Sequence, residues 1–363
     1  MPQALPHSEK RPIRVLFDIT HPAQAHFFKT VIRRLLREGH AVLVTSRDKD
    51  VCQDLLKRLD IQNVCVSRIG RGILGLGKEL LARDYRLWRL ARRFGPDVMV
   101  ARGGISIGLV GAMLGVPRVV FEDTEHSCLE RMVSLPFATH ICTGTGYLTT
   151  HGRRQTSFRG VPQLAYMHPR YFQPDPRPLR EAGVETDQPY IVLRAVSWGA
   201  VHDVGVAGAG EAAIVDAARR LSRYGRVLLS SEKKPTPAME EFRNPVPVEH
   251  LHHLLSFARL FLGEGGTMAA EAALMGVPAV FCSPLVTGFL LALERDYGLV
   301  RNVPTLPQGA TVAEELLARP DLRQTWQGRR QRMLADSEDI PEFMWRVIHQ
   351  AAQQHGDQAR TAT

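Results

Sequence analysis

The sequence has few cysteines and lacks long apolar runs. Its five cysteines are scattered over 363 residues, and none belongs to a Cys-x-x-Cys pair. This pattern argues against a disulfide framework or a zinc site and fits the reducing cytoplasm. No run of about 18 apolar residues occurs, so we expect no membrane-spanning segment. The cysteines are Cys52, Cys65, Cys128, Cys142 and Cys282.

The opening residues lack a signal sequence as well. Residues 1–11 contain no apolar core of the kind that secretory signal peptides carry, and we expect a disordered tail there. The chain is too long for one ordinary domain and has the right length for two. A hydrophobic content of 44% with 23% charged residues is typical of a soluble globular protein. We therefore expect a two-domain protein of the cytoplasm.

The positive net charge of +9 is partly concentrated in one predicted helix. Five arginines lie between Arg83 and Arg93, and a helical projection separates most of them from an apolar side that includes Leu87 and Ala91. A solvated surface helix packed on a sheet explains this pattern. The alternative is a peripheral contact with the anionic inner face of a membrane. Nucleic acid is not an expected partner, because no aromatic-rich basic motif accompanies the charge.

Short strand-like runs alternate with helical patterns, which indicates parallel sheets covered on both faces. Predicted strands cover residues 13–17, 41–46, 98–101, 118–121 and 140–142, and then 190–194, 226–229, 260–262 and 279–281. A proline-rich stretch between the two groups predicts a linker. We assign residues 12–165 to an N-terminal domain, 166–188 to the linker, 189–335 to a C-terminal domain and 336–363 to a final helix with a frayed end.

The two halves repeat one pattern. Residues 99–121 and 261–281 both read as a strand, Gly-Gly, a helix, Gly-Val-Pro and a strand, and their helices differ in length by one residue. Two similar α/β domains facing each other would produce this repeat. The cleft between them, lined by the carboxyl ends of the strands, is then the expected ligand site. Only the second copy has a glutamate inside its helix, Glu271, where the first has Leu109 and Val110.

Residues 264–278, which form most of the second copy, suit a phosphate-bearing ligand. Gly265 and Gly266 allow a sharp turn and a close approach of the backbone to a ligand. Thr267 is predicted to cap the helix, whose first amides, including that of Met268, offer a seat for a phosphate. Glu271, one turn further, is placed to accept hydrogen bonds from ribose hydroxyls. The alternative is a tight turn followed by an exposed glutamate.

The segment Gly265–Pro278 resembles the donor-binding loop and helix of GT-B glycosyltransferases and of non-hydrolysing UDP-N-acetylglucosamine 2-epimerases. From Ile13 to about Val303, the chain resembles the DUF354 family of GT-B-like proteins, on the strength of residues 18–22, 122–126 and 264–278. The resemblance implies an α/β fold of GT-B type, with two Rossmann-like domains. It places the donor nucleotide on the second domain and the acceptor on the first, with the final helix crossing back to the first domain.

Candidate catalytic residues follow two strands of the first half. Asp18, His21 and His26 are expected to cluster where the first strand ends and its helix begins. By the same resemblance, this loop faces the donor sugar, so His21 or His26 is a candidate general base. The alternative is that His21 caps the helix and His26 packs under it. Glu125 and His126, in the acidic stretch after a second strand, are candidates for acid–base work or acceptor binding. There the alternative is a capped helix start.

Further candidates for the donor site lie in the second half. Arg194 and His202 follow its first strand and suit a diphosphate. His250 lies where GT-B folds hold the nucleotide base through backbone contacts. GT-B transferases usually hold the diphosphate with backbone and basic groups, so we expect neither a metal nor a cofactor beyond the sugar donor.

These features predict a glycosyltransferase that uses a nucleotide-diphosphate sugar, UDP-linked, in surface-polysaccharide or glycolipid assembly. The alternatives are a nucleotide-sugar 2-epimerase and a nucleotide-sugar binding protein without turnover. The sequence lacks the Gly-Thr-Arg-Pro-Glu stretch of the epimerases, and it also lacks the Gly-Gly-His-x-x-Pro loop of the cell-wall lipid transferases.

Overall fold

The computed structural model describes residues 11–48, 52–68, 72–123, 132, 134–196, 208–231 and 234–361. Two parallel sheets organise them, one of seven strands and one of five. Both are flanked by helices, as expected for strands that are apolar on both faces. The described structure is thus an α/β protein with two sheets, as the alternation of strand and helix patterns predicts.

The first sheet has the strand order β3-β2-β1-β4-β5-β6-β7, and all of its pairs are parallel. The predicted strands all form, and β3 and β7 were not predicted. The elements are β1 Arg14–Ile19, α1 Pro22–Arg37, β2 Ala41–Asp48, α2 Cys52–Arg58, β3 Val64–Arg68, α3 Gly72–Phe94, β4 Val98–Arg102, α4 Ile105–Leu114, β5 Arg118–Glu122, β6 His140–Thr143 and β7 Gln155–Ser157.

The second sheet has the order β12-β11-β10-β8-β9 and is also parallel throughout. Short helices α5 Leu164–Met167 and α6 Arg177–Glu181 precede it. The remaining elements are β8 Tyr190–Ala195, α7 Glu211–Leu221, β9 Arg226–Ser231, α8 Pro237–Glu240, α9 Leu251–Phe257, β10 Leu260–Gly263, α10 Gly266–Leu274, β11 Ala279–Cys282, α11 Gly288–Tyr297, β12 Val300–Val303, α12 Leu306–Leu317, α13 Leu322–Asp336 and α14 Ile340–Thr361.

The strand order reverses once in each sheet, between β1 and β4 in the first and between β8 and β10 in the second. In open parallel sheets, such a reversal leaves a crevice outside the carboxyl ends of the two strands, because their connections leave in opposite directions. The fold therefore provides two crevices, one after Ile19 and Arg102 and the other after Ala195 and Gly263.

The predicted internal repeat is present in the structure. In both copies the helix connects two neighbouring parallel strands, β4 with β5 and β10 with β11. The exits are alike, since Gly115 and Gly276 both take left-handed φ angles, +69° and +75°. The starts differ: Gly104 precedes α4 in a left-handed conformation, whereas Gly265 precedes α10 in an extended one. The repeat thus preserves the order of strands and helix and changes the turn at the start of the helix.

The last helix, α14, packs on the first half of the chain. Trp345 Nε1 donates to Glu38 Oε2 at 2.6 Å, and the Nε2 atoms of His349 and His40 are 3.1 Å apart. Phe343, on the same helix, contacts Phe121 of β5 and Phe158. These contacts tie the C-terminal residues to the first sheet. The assigned domain boundaries stay predictions.

Helix α3 separates its arginines as predicted. Leu87 and Ala91 are fully buried against the sheet, and Arg86, Arg89, Arg92 and Arg93 are exposed. Leu81 and Tyr85 are also exposed, at 73% and 59%. Among the described residues, no helix has both the length and the apolar character needed to cross a bilayer.

Candidate functional site

The turn between β10 and α10 brings two backbone segments together. A Cβ atom at Gly263 would lie 2.4 Å from the carbonyl oxygen of Arg194 on β8, so this position requires glycine. The helix that follows begins at Gly266, and the amides of its first turn have no partners within the helix. The positive end of the helix dipole lies here as well. Both properties suit a phosphate group.

The prediction that Thr267 caps this helix is wrong. The capping position belongs to Gly265, and Thr267 is already the second residue of the helix. The helix starts earlier because the glycine pair completes the turn before Thr267 is reached. Thr267 and Met268 are half-buried, and Met268 packs against the core. Their backbone amides still belong to the first turn, as the predicted phosphate seat requires.

Glu271 is buried, with 5% of its surface exposed, and it is held from two directions. Tyr166 Oη, on α5, donates to Glu271 Oε1 at 2.7 Å. His252 Nε2, on α9, lies 3.2 Å from the same oxygen. Among the residues that the structure describes, no donor is assigned to Oε2. The exposed-glutamate alternative is therefore wrong, and one carboxylate oxygen keeps its hydrogen-bonding capacity.

Tyr166 and His252 belong to a ring cluster that also contains His26 of α1. The His26 ring centroid is 5.0 Å from that of His252 and 5.5 Å from that of Tyr166. Its Nδ1 atom is buried without a hydrogen-bond partner. Burial, together with the nearby His252 and Lys29, lowers the pKa of His26 to about 2. His26 is therefore neutral and is a weak proton acceptor in this arrangement.

His21 and Asp18 do not join this cluster. His21 is exposed and occupies the capping position of α1, where its Nδ1 accepts a hydrogen bond from the Ala23 amide at 3.3 Å. Asp18 points to the other face of the sheet, where it forms a buried ion pair with Arg83 and accepts from Thr45 Oγ1. The predicted grouping of Asp18 with the two histidines is wrong, because successive side chains of β1 alternate between faces.

A second ion pair closes the carboxyl end of the first sheet. Arg102, at the end of β4, donates to both carboxylate oxygens of Asp123, which follows β5. Burial alone would lower the pKa of Arg102, but the Asp123 carboxylate raises it above its usual value. Both groups also interact electrostatically with Tyr166. The pair therefore extends the Tyr166–Glu271 contact into a polar network between the halves.

Arg194 lies at the crevice of the second sheet. Its Nη1 donates to Ser230 Oγ at 3.0 Å, and its side chain passes close to Gly265. Next to it, Glu264 accepts hydrogen bonds from the amides of Val196 and Ala209, at 3.2 and 2.7 Å. Glu264 thus holds Val196, which follows β8, and Ala209, which precedes α7, through their backbone amides. The guanidinium of Arg194 and the first turn of α10 meet at the same crevice.

His250 ends a short 3-10 turn, Val248–His250, just before α9. It is half-buried, with its ring centroid 6.0 Å from that of His253. The preceding residue, Glu249, forms an ion pair with Arg58 of α2. The halves therefore also touch on this side. Glu125, His126 and His202 lie outside the described residues.

A small cavity lies between the two halves. One cavity, of about 10 Å³, is lined by Asp123, Thr145, Tyr147 and Phe289, among others. Nearby, a Cβ atom at Gly146 would lie 2.4 Å from the carbonyl oxygen of Gly288. The side-chain amide of Gln163 is buried, and neither its nitrogen nor its oxygen has a partner. Polar groups with unused hydrogen-bonding capacity are thus enclosed between the halves.

The sequence matches the family described as "Protein of unknown function (DUF354)" over residues 13–353. The chain belongs to the DUF354 family. It is 25% identical over 284 residues to the "Uncharacterized protein MJ0665" of Methanocaldococcus jannaschii, covering 74% of this chain and 82% of that protein.

Solved structures place this DUF354 chain in the GT-B fold. A UDP-GlcNAc 2-epimerase from Methanocaldococcus jannaschii, in complex with UDP-GlcNAc and UDP, superimposes with a TM-score of 0.63 at 12% identity, covering 88% of this chain and 99% of the epimerase. MurG of Acinetobacter baumannii superimposes with a TM-score of 0.60 at 14% identity, covering 93% and 100%. The predicted GT-B-like fold is confirmed.

Several residues of this candidate site were not singled out from the sequence. Tyr166 lies in the predicted linker, and His252 lies two positions after His250. Arg102 could have been identified from the sequence, because it stands directly before the glycine pair of the first repeat. Glu264 could also have been identified, because it lies between the strand and the glycine pair of the second repeat. Arg102 ends β4 and Glu264 directly follows β10, and this position at the carboxyl end of a strand is the signal that could have identified them.

Proposed function

We propose that this DUF354 chain is a glycosyltransferase that takes a sugar from a nucleotide-diphosphate donor, UDP-linked, and transfers it to a saccharide or glycolipid of surface-polysaccharide assembly. The observation that carries the proposal is the meeting of Arg194 with the first turn of α10 at the crevice of the second sheet. The resemblance to proteins named for UDP-GlcNAc and UDP supports the choice of donor.

The donor diphosphate would lie against the amides of Gly266, Thr267 and Met268. Arg194 would supply a positive charge beside it, and the combined donors would stabilise the departing nucleoside diphosphate. Glu271 would accept the ribose hydroxyls through Oε2, since Oε1 is already bonded to Tyr166. Backbone groups near His250 would hold the base.

Binding of the donor ribose requires neighbouring groups to move away from Glu271, because its side chain is buried. The Arg58–Glu249 ion pair between the halves would separate, while Tyr166 stays bonded to Oε1 of Glu271 and Oε2 takes the ribose. The unused groups of His26 and Gln163 would then become available to the ligand.

For the general base we favour Glu125 or His126 over the two loop histidines. His21 uses its Nδ1 lone pair to cap α1, and His26 has a pKa too low for a base at neutral pH in this arrangement. Glu125 and His126 lie two and three positions after Asp123 in the sequence, and Asp123 lies at the same end of the sheet as Arg102.

A 2-epimerase is the second candidate, and the structural similarity to the epimerase from M. jannaschii favours it. The reactions are separated by incubating the protein with UDP-sugars, first without an acceptor and then with a panel of lipid-linked and soluble saccharides. Release of UDP only when an acceptor is present supports the transferase. Formation of the 2-epimer without an acceptor contradicts it, and tight binding without turnover over the whole panel supports a binding protein.

We also propose that α3 contacts the anionic inner face of a membrane, which suits a lipid-linked acceptor. Leu81 and Tyr85 project into solvent from this helix, and Arg89 and Arg92 flank them. The neighbouring α4 exposes Met113 as well, at 66%. Exposed apolar side chains beside arginines are typical of helices that lie at a lipid interface. A cytoplasmic location stays a prediction from the sequence.

A further inference from the structure

A basic groove lies on the outer side of α1, away from the turn of α10. It has a volume of about 530 Å³, within the range of small-molecule sites. Its lining contains four cationic side chains and no carboxylate. The lining residues are Lys29, Thr30, Arg33, Leu36, Arg37, Arg170 and Tyr171.

Three of the cations form a stripe along α1. Lys29, Arg33 and Arg37 follow one another at intervals of four residues, so they lie on one side of the helix about 6 Å apart. Like charges at this spacing repel each other and weaken a helix. Among the described residues, no carboxylate forms an ion pair with any of the three.

Neighbouring charges are paired, which makes the stripe distinctive. Arg34, on the adjacent side of α1, forms ion pairs with Glu38 and Glu342. Across the groove, Arg170 donates to Asp339 at 3.0 Å, and the Tyr171 hydroxyl donates to the same carboxylate. Positive charge therefore remains uncompensated along one wall of the groove.

The groove also holds its cations in place. Arg33 Nη2 donates to the carbonyl oxygen of Leu59 at 2.6 Å, and Arg37 Nε donates to that of Arg33. Lys29 is half-buried, with its Nζ 6.0 Å from the centre of the Tyr166 ring. Burial and the proximity of Arg33 lower the pKa of Lys29 to about 8. An anion beside Lys29 would raise the pKa of the lysine again and offset the repulsion along the stripe.

We infer that this groove is a binding site for a soluble anionic ligand that carries two or more phosphate or carboxylate groups. The spacing of the stripe matches groups on one small molecule, and Leu36 and half-buried Tyr171 provide a wall for its uncharged part. None of the lining residues of the groove belongs to the proposed donor site, so the inference does not depend on the proposed transfer reaction.

The test is calorimetric titration of the full-length chain with inorganic pyrophosphate, and separately with trigalacturonate, both in the presence of saturating UDP. The variant is Arg33→Gln with Arg37→Gln, at two exposed positions, and a cooperative thermal transition checks that it is folded. The matched control removes the same charge from α3, as Arg89→Gln with Arg92→Gln. UDP affinity is measured for each protein, so that a failure of the donor site is seen separately.

We expect saturable binding of at least one probe, weakened about tenfold or more in the groove variant and unchanged in the α3 control. Binding of pyrophosphate identifies phosphate as the ligand group, and binding of trigalacturonate alone identifies carboxylate. The inference is overturned if neither probe saturates, or if both variants lose affinity equally. Binding only to phosphatidylglycerol vesicles, with neither soluble probe, also overturns it.

Discussion

The Tyr166 hydroxyl donates a hydrogen bond of 2.7 Å to the Glu271 carboxylate, joining a short helix that follows the first sheet to the central helix of the second. Burial and the Glu271 charge raise the pKa of Tyr166 well above its usual value. The tyrosine is therefore always a donor at physiological pH. We propose that Glu271 binds ribose. Its bond to Tyr166 therefore connects the proposed donor site to the packing between the two halves.

Removing the hydroxyl in Tyr166→Phe should destabilise the protein by about 1–3 kcal/mol, because a buried carboxylate loses a donor. Urea unfolding of the wild type and the variant measures this. Tyr85→Phe is the matched control, since Tyr85 is 59% exposed, and its midpoint should not change. Equal midpoints for Tyr166→Phe and the wild type would mean that the bond contributes nothing.

A methyl group at Gly263 should also destabilise the fold. The new Cβ would lie 2.4 Å from the Arg194 carbonyl oxygen, so strands β8 and β10 must shift. We expect Gly263→Ala to lower the free energy of unfolding by about 1–3 kcal/mol. Gly77→Ala serves as the control, because it lies in α3 with no atom within 4 Å of the new methyl group. That variant should be slightly more stable than the wild type, and a tolerated Gly263→Ala would refute the close approach.

The first repeat and the second were predictable from the sequence because their signals are local. Gly-Gly, Gly-Val-Pro and the apolar runs each act within a few residues, and they correctly predict β4–α4–β5 and β10–α10–β11. The position of Glu271 inside its helix was likewise predicted correctly. What the sequence does not contain is a local signal for the partners of Glu271, which come from α5 and α9 through tertiary packing.

The errors have local causes. Thr267 has good capping chemistry, but the preceding glycines complete the turn first, so Gly265 caps the helix. Strands β3 and β7 were missed because Val64 is exposed and β7 is short, polar and at the sheet edge. Asp18 was grouped with the histidines by sequence proximity, whereas the alternation of β1 buries it against Arg83.

The stability of the protein should fall in mild acid partly because of His26. Its pKa is about 2 in the folded chain and 6.5 in an ordinary environment, so only the unfolded chain takes up the proton between these values. Stability from this histidine is complete above pH 6.5 and declines below it, by about 1.4 kcal/mol for each pH unit.

Urea unfolding at pH 7.5 and 5.5 checks this slope. The wild type should lose about 1 kcal/mol more than His26→Phe between the two conditions, since all other titrating groups are shared. If the two proteins lose stability in parallel, His26 is not held neutral by the fold.

Contact of α3 with a membrane predicts binding to vesicles that contain phosphatidylglycerol and not to phosphatidylcholine vesicles. Leu81→Ser with Tyr85→Ser should reduce co-sedimentation about tenfold or more, because the apolar side chains no longer enter the lipid. Leu148→Ser with Val248→Ser is the control, as these residues are exposed at 60% and 61% elsewhere on the protein. Equal losses in both pairs would show that α3 has no particular affinity for lipid.

The most direct test of the proposed donor site is calorimetric titration with UDP of the wild type, of Glu271→Ala and of Glu240→Ala. Glu240 is a matched control, since its side chain is 52% exposed in the same half of the chain. We predict that Glu271→Ala weakens UDP binding by about 1–3 kcal/mol, through the loss of its bonds to ribose, while Glu240→Ala binds as the wild type does. Absence of UDP binding by the wild type, or equal affinities for all three proteins, would contradict the proposal.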